Sequence, residues 1–306
     1  MATDTHADRS LVPGVDRPAA VTTVRRPTTF RGLATRIGFI ALLIFFTVLF
    51  IYPFIWLLSA SLKPGSEVFS RNLIPDPIMW ENYSRLFELT QMGRWSLNSV
   101  YVSILAAVTV TASSALVAFA FAYFRFPHRD LVFGIVLAGM MLPGAVTMIP
   151  TFLIWNALGY VNTLEPLWAA NLFASPFYIF LLRQFYLGLP RELFDAARVD
   201  GANYLRMWWS VAVPLTRAAL IVVFIFELKA AWTDLVKPLI FLRDTSLFTL
   251  PRGLKAVIDN PSIGGERHFE LLAVGGVIVT VPMIIIFFLG QRYFLEGIAT
   301  TGSTGR

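Results

Sequence analysis

Long stretches without a charged side chain constrain this chain most, because an α-helix needs about 20 apolar residues to cross a hydrocarbon core of roughly 30 Å. Five such runs stand out: Ile37–Leu62, Trp95–Phe124, Leu131–Leu164, Pro166–Leu182 and Leu271–Gln291. A sixth, from about Leu215 to Phe241, carries charges within it. With 56% hydrophobic and 14% charged residues among 306, the chain is too apolar for a soluble domain of this size. The pattern predicts an all-α membrane protein with six transmembrane helices. Leu131–Leu164 is too long for one straight span, and Pro143-Gly144 and Pro150 interrupt it. One kinked helix followed by a turn at Asn156, Gly159 and Asn162 is expected.

Six spans place both termini on one side of the membrane, and lysine and arginine decide which. Fifteen of them border the termini and the loops after the second and fourth runs, against eight in the other loops. Both termini are therefore expected to be cytoplasmic. The net charge of +6 then serves topology, with basic segments drawn to anionic membrane lipid, and gives no support to a nucleic-acid partner. Residues 1–36 form a basic tail without apolar periodicity, expected to be disordered. Residues 37–62 make the first helix and 63–94 an external loop that ends in an amphipathic stretch, Trp80–Leu89, suited to the membrane surface.

Several chemistries are excluded. With no cysteine there is no disulfide, thiolate or cysteine metal site. His6, His128 and His268 are scattered over three regions and make no metal or catalytic set. No GxxxxGK[ST] phosphate loop occurs, so ATP-driven work would come from a partner chain.

Between the fourth and fifth runs lies a polar segment with the punctuation of two short helices. Pro190 suits a helix start, and Glu192 and Asp195 suit the positive end of its dipole. Ala196 and Ala197 allow another surface to approach closely. Asp200-Gly201 is a helix stop, because glycine adopts the left-handed C′ conformation without steric cost. Asn203 can cap a second helix carrying Leu205, Trp208, Trp209 and Val211, ended by Pro214. From composition alone, a docking elbow, a connecting hairpin and an interfacial helix all remain open.

The ordered motifs resemble the permease subunits of carbohydrate ABC importers of the maltose-transporter type. They include Arg183-Gln184-Phe185, Leu189-Pro190, Asp195-Ala196-Ala197, Val199-Asp200-Gly201-Ala202 and Val213-Pro214-Leu215. Phe119-Ala120-Phe121-Ala122 after the second run, Met141-Leu142-Pro143-Gly144 in the third, Trp232-Thr233-Asp234 and Gln291-Arg292-Tyr293-Phe294 extend the likeness from about Asn98 to Gly297. The resemblance implies a type I ABC importer transmembrane domain over 95–293, with an EAA loop at about 188–214 and a cytoplasmic tail at 294–306, in a bacterial-type cytoplasmic (inner) membrane. It assigns Asp195, Ala196, Ala197, Asp200, Gly201 and Ala202 to coupling with an ATPase. It also implies a second homologous permease, two ATP-binding-cassette ATPase subunits that hold ATP and Mg, an external solute-binding protein and a sugar substrate. No cofactor would be bound by this chain. Asp195 stands where the usual residue is Glu, which keeps the charge and shortens its reach. The loop around Asn260, Ile263, Gly264 and Gly265 corresponds to one that reaches into the binding protein; a plain flexible loop is the other reading.

The sixth run is unusual, since an ionisable group near a span centre costs about 2.5–3.5 kcal/mol on insertion scales. Glu227 and Asp234, seven residues apart on one helix, would share a face, and Lys237 could pair with Asp234. Lining a sugar pathway, with Trp232 as a stacking surface, competes with pairing between helices and with Trp232 as an interfacial anchor. A proton-coupled secondary transporter remains the alternative to the importer, and would need inverted repeats and discontinuous helices.

Overall fold

In this computed structural model the described residues are 30–260 and 268–302, with side chains described for 35–260 and 268–293. They are helical, without a strand. The elements are α1 (Phe30–Ser61), α2 (Glu81–Leu89), α3 (Met92–Tyr123), α4 (Arg129–Ala138), α5 (Gly144–Ala157), α6 (Pro176–Leu187) and α7 (Arg191–Val199). There follow α8 (Tyr204–Met207), α9 (Val213–Leu215), α10 (Arg217–Thr233), α11 (Val236–Phe241), α12 (Leu250–Asp259) and α13 (Phe269–Gly302). The chain divides at Tyr52 into two compact units. Of the first, residues 35–52 are an exposed apolar stretch of α1, as a lipid-facing helix must be. The second holds everything from Pro53 onward.

Three helical stretches are long and apolar enough to cross a membrane: Thr35–Ser61, Met92–Tyr123 and Phe269–Tyr293. Two more candidates are broken, with Arg129–Met141 meeting α5 at 99° and Tyr204–Leu215 meeting α10 at 83°. The one kinked helix expected in the third run is instead two helices meeting at a sharp break. Leu142 is extended at ψ 119° ahead of Pro143, as the residue before proline prefers, and the helix restarts at Gly144. Pro150, by contrast, sits inside α5 without ending it.

The fourth run also departs from expectation. Instead of one helix over Pro166–Leu182, two 3-10 turns, Glu165–Leu167 and Ala169–Phe173, precede the 12-residue α6. At 1.5 Å per residue α6 is only about 18 Å long, too short to cross alone. Pro176 starts it with no N–H to continue an earlier helix, and Ala174 before it has φ 65°. At the far end, α13 continues to Gly302, through most of the stretch expected to be a tail. Residues 1–29 and 303–306 lie outside the described residues.

Helix α3 is the hub, packed against α6 and α10. Its buried positions are mostly small: Ser99, Ser103, Ala106, Ala107, Ser114, Ala115 and Ala118. Lipid offers no hydrophobic advantage to apolar contact between helices, so close packing through small residues is what holds such a bundle together. One core cluster gathers Phe119, Phe121, Phe133, Leu182, Tyr186, Phe194 and Met207; a second gathers Leu86, Trp95, Leu167, Trp232, Phe248, Leu250 and Leu271.

At the second cluster the segment after α11 is tied to the start of α3. Trp95 Nε1 donates to Thr245 O at 2.7 Å, Asn98 Nδ2 donates to Ser246 O and Phe248 O at 2.9 Å each, and Leu250 N donates to Ser99 Oγ at 2.6 Å. The Trp95 ring lies so close to Gly253 that a Cβ there would sit 2.1 Å from a ring carbon. Gly253→Ala is expected to cost at least about 1–3 kcal/mol by overpacking, seen as a lower thermal midpoint of the detergent-solubilised protein. Gly134→Ala, with nothing within 4 Å, should leave the midpoint unchanged or slightly raised.

Candidate functional site

The polar segment between α6 and α10 folds as an elbow. Helix α7 ends in a Schellman motif, with Gly201 N donating to Arg198 O at 3.0 Å and Ala202 N to Ala197 O at 2.9 Å. Gly201 occupies the left-handed region at φ 79°. Asn203 then caps α8, its Oδ1 accepting from Arg206 N at 2.8 Å. The chain continues through a π turn, Trp208–Ala212, and α9, and breaks at Thr216 rather than at the expected Pro214.

One buried side chain fixes the elbow to the bundle. Phe194 is 4% exposed, with its ring centroid 5.9 Å from that of Phe119 and 5.4 Å from that of Tyr123, in the last turns of α3. Tyr204 of α8 adds a second contact, edge-on to Phe124 at 4.9 Å. The predicted coupling residues divide accordingly. Asp195, Ala196, Asp200 and Gly201 are exposed, whereas Ala197 and Ala202 pack against the inner core cluster. Val199, 88% exposed, is the most prominent apolar group on the elbow.

The predicted pathway residues are not brought together. Glu227 is half-buried on α10, and its Oε1 accepts from Asn171 Nδ2 at 2.6 Å. Asn171 also donates to Ala106 O at 3.2 Å, and its own carbonyl accepts from Ser113 Oγ at 2.9 Å. Asp234 does not share a helical face with Glu227, because α10 ends at Thr233. Its Oδ1 accepts from the backbone N–H of Val236 and Lys237 at 2.9 and 3.2 Å, at the start of α11. The predicted pairing with Lys237 is present, at 3.8 Å. Trp232 is 5% exposed and donates from Nε1 to Val279 O of α13 at 3.0 Å, so as placed its ring belongs to the core and offers no face for a sugar. Asn260 is exposed at the end of α12, while Ile263, Gly264 and Gly265 lie outside the described residues.

Sequence reasoning missed Asn171 and Phe194. The first was hidden by reading residues 166–182 as one uniform helix. The second carried a usable signal: an aromatic residue among Arg191, Glu192, Asp195 and Arg198 is the buried spot of an otherwise solvated helix.

A family model described as the binding-protein-dependent transport system inner membrane component matches residues 111–299, which span the elbow, Asn171 and Glu227. The chain belongs to this family. As such a permease it is a transport subunit and not itself an enzyme, and the proton-coupled alternative falls away even though the helices are discontinuous. The arabinooligosaccharides transport system permease protein AraQ of Bacillus subtilis strain 168 is 32% identical over 87% of this chain and 96% of its own length. The sn-glycerol-3-phosphate transport system permease protein UgpE of Yersinia pestis bv. Antiqua (strain Antiqua) is 30% identical, covering 84% and 93%. The diacetylchitobiose uptake system permease protein NgcG of Streptomyces coelicolor is also 30% identical, covering 82% and 83%. Among solved structures, a chain of a bacterial ABC transporter involved in the import of the acidic polysaccharide alginate superposes with TM-score 0.77 at 23% identity, covering 87% of this permease and 98% of that chain. A chain of the bacterial alginate ABC transporter in complex with alginate pentasaccharide-bound periplasmic protein gives 0.62 at 14% identity, covering 86% and 94%. These two likenesses establish the shared fold.

Because the space around Gly201 is open, any penalty for replacing it is a backbone penalty. Gly201→Ala should cost about 1–2 kcal/mol of elbow stability, Gly201→Asn less. Hydrogen exchange of the amides of Gly201 and Ala202 would report it as faster local opening.

Proposed function

We propose that this permease carries a sugar or related polyol inward across a bacterial cytoplasmic membrane, with both of its termini on the cytoplasmic side. It would form half of a pathway completed by a second homologous permease, with two ATP-binding-cassette ATPase subunits beneath and an external solute-binding protein above. ATP would be bound and hydrolysed on the ATPase chains. The relatives named for arabinooligosaccharides, sn-glycerol-3-phosphate and diacetylchitobiose support the cargo class, since all three are polyhydroxylated.

The observation that carries the reading is the seating of the elbow. Its exposed pole, Glu192, Ala196 and Val199, is free for an ATPase surface, while Phe194 on the opposite side is locked among the rings of α3. A push on the elbow is thereby a push on the hub helix. Asp195 and Gly201 serve coupling in this account, the one as an exposed charge and the other as the hinge-free corner. The loop that begins at Asn260 would reach the binding protein.

For the cargo, the reading centres on Glu227 and Asn171. Irregular backbone within hydrocarbon is tolerated only where protein or a water-filled cavity surrounds it, and the two 3-10 turns at 165–173 interrupt an otherwise charge-free run. Phe173 at their end is 88% exposed. A half-buried carboxylate beside this segment can accept hydrogen bonds from sugar hydroxyls.

Uptake into proteoliposomes by the assembled importer, with a panel of labelled oligosaccharides and polyols, tests the proposal. Uptake of a polyhydroxylated cargo should require ATP and stop when the partner ATPase is inactivated; uptake that continues contradicts it. Glu227→Gln should raise the cargo KM about tenfold, the worth of a hydrogen bond to a charged group, with ATP hydrolysis retained. An unchanged KM removes Glu227 from the pathway.

A further inference from the structure

The flank of the elbow that turns toward the end of α3 carries, beside the coupling residue Asp195, arginines to which coupling gives no role. Arg191, Asp195 and Arg198 recur at i, i+4 and i+7 along α7 and so share one flank, between the buried pole of Phe194 and Ala197 and the exposed pole of Ala196 and Val199. Together with Tyr123, Phe124 and Arg125 at the end of α3, and Tyr204, they line a cleft of about 340 Å³. We propose that this cleft is a binding site for the headgroup of an anionic phospholipid of the leaflet that the elbow faces.

Charge is the first argument. Three guanidinium groups face the cleft and Asp195 is the one carboxylate in its lining, leaving an excess of two positive charges. Among the described residues, none of the three arginines forms an ion pair with Asp195. Arg198 is oriented by donating to Tyr204 Oη at 2.7 Å. Arg125 and Arg191 have no hydrogen bond or ion pair among the described residues, and both are exposed. Long cationic side chains held near one another without a counter-ion are stabilised when an anion enters.

Depth is the second argument. The apolar span of α3 ends at Tyr123, and Arg125 follows two residues later. Phe194 packs on Phe119 and Tyr123, so the α7 flank lies directly against the last turns of that span. The flank therefore lies where the charge-free run of α3 gives way to basic residues, toward the headgroup side of the span. The cleft walls are the residues that such a boundary favours, with Tyr123, Phe124 and Tyr204 amphipathic or apolar between arginines. Basic pockets between spans at this depth bind anionic headgroups through the phosphate, which arginine takes in bidentate fashion. Arg125 also borders an adjoining cleft with His128, Arg129 and Asp130, where Arg129 is already paired with Asp130 at 3.1 Å, so the unpaired charge is concentrated on the α7 side.

The proposal rests on membership of the membrane family and is independent of the cargo. The test is native mass spectrometry of the full complex released from nanodiscs of mixed phosphatidylglycerol and phosphatidylcholine. The wild type should retain phosphatidylglycerol in preference. Removal of charge should weaken retention roughly fivefold for each arginine in Arg125→Gln and Arg191→Gln, and multiplicatively in the double variant. Arg292→Gln, a charge loss outside the cleft, should retain lipid as the wild type does. If the double variant does not fold, Arg125→Gln alone, at an exposed position, gives the same reading. Equal retention by wild type and cleft variants, or equal loss in Arg292→Gln, overturns the site. Displacement of the lipid by millimolar inorganic phosphate, or loss of the ATPase with lipid retention intact, overturns the lipid assignment in favour of a free anion or a protein surface.

Discussion

Within hydrocarbon, an unpaired backbone N–H or C=O has no water to turn to, so each interruption of a helix in this chain must bring its own partners. The breaks show how that is met. Ahead of α6, Ser175 N donates to Ser114 Oγ, the carbonyl of Asn171 accepts from Ser113, and the side chain of Asn171 reaches across to Ala106 O. At the break between α9 and α10, Thr216 Oγ1 donates to Ala212 O. Beyond α10, the carboxylate of Asp234 accepts the two N–H groups that start α11. Small and polar residues of α3 thus have two tasks, close packing of neighbouring helices and satisfaction of the irregular segments laid against them.

This dual use explains the placement of Glu227, half-buried on α10. Glu227 accepts from Asn171, whose amide also donates to Ala106 O and whose carbonyl accepts from Ser113 Oγ, both of α3. A carboxylate so held joins α10 and the irregular segment through a single amide. The elbow at the other end of α3 is held by aromatic rings instead, Phe194 against Phe119 and Tyr123, with Tyr204 against Phe124. The polar contacts of Asn171 and the aromatic contacts of the elbow therefore meet on the same helix.

The sequence made the helical class, the long spans and the elbow legible because each rests on local chemistry. Charge-free length marks Met92–Tyr123 and Phe269–Tyr293, Asp200-Gly201 marks the stop, and Asn203 marks the cap. Trp80–Leu89 emerges as the amphipathic α2 for the same reason. What hydropathy cannot report is whether an apolar run is one helix. Leu131–Leu164 and Pro166–Leu182 are both charge-free, yet both are broken, and in the second the partners for the free backbone groups come from the distant Ser113 and Ser114. The same limit misplaced Asp234 and Trp232. Seven residues of helical phase put Asp234 beside Glu227 only if the helix continues, and a tryptophan near the end of a span reads alike as anchor, stacking surface or core until Val279 is seen to accept from it.

The central claim is that elbow and hub helix move as one body. The absence of cysteine allows two to be introduced cleanly, at the exposed Val199 on the elbow and Leu97 near the opposite end of α3, for spin labels. The distance between them, measured by electron paramagnetic resonance on the assembled importer with and without bound nucleotide, should stay constant while a label on the exposed Leu153 of α5 shifts relative to either. A Val199 to Leu97 distance that changes with nucleotide would show that the aromatic seam at Phe194 yields, and would contradict the account.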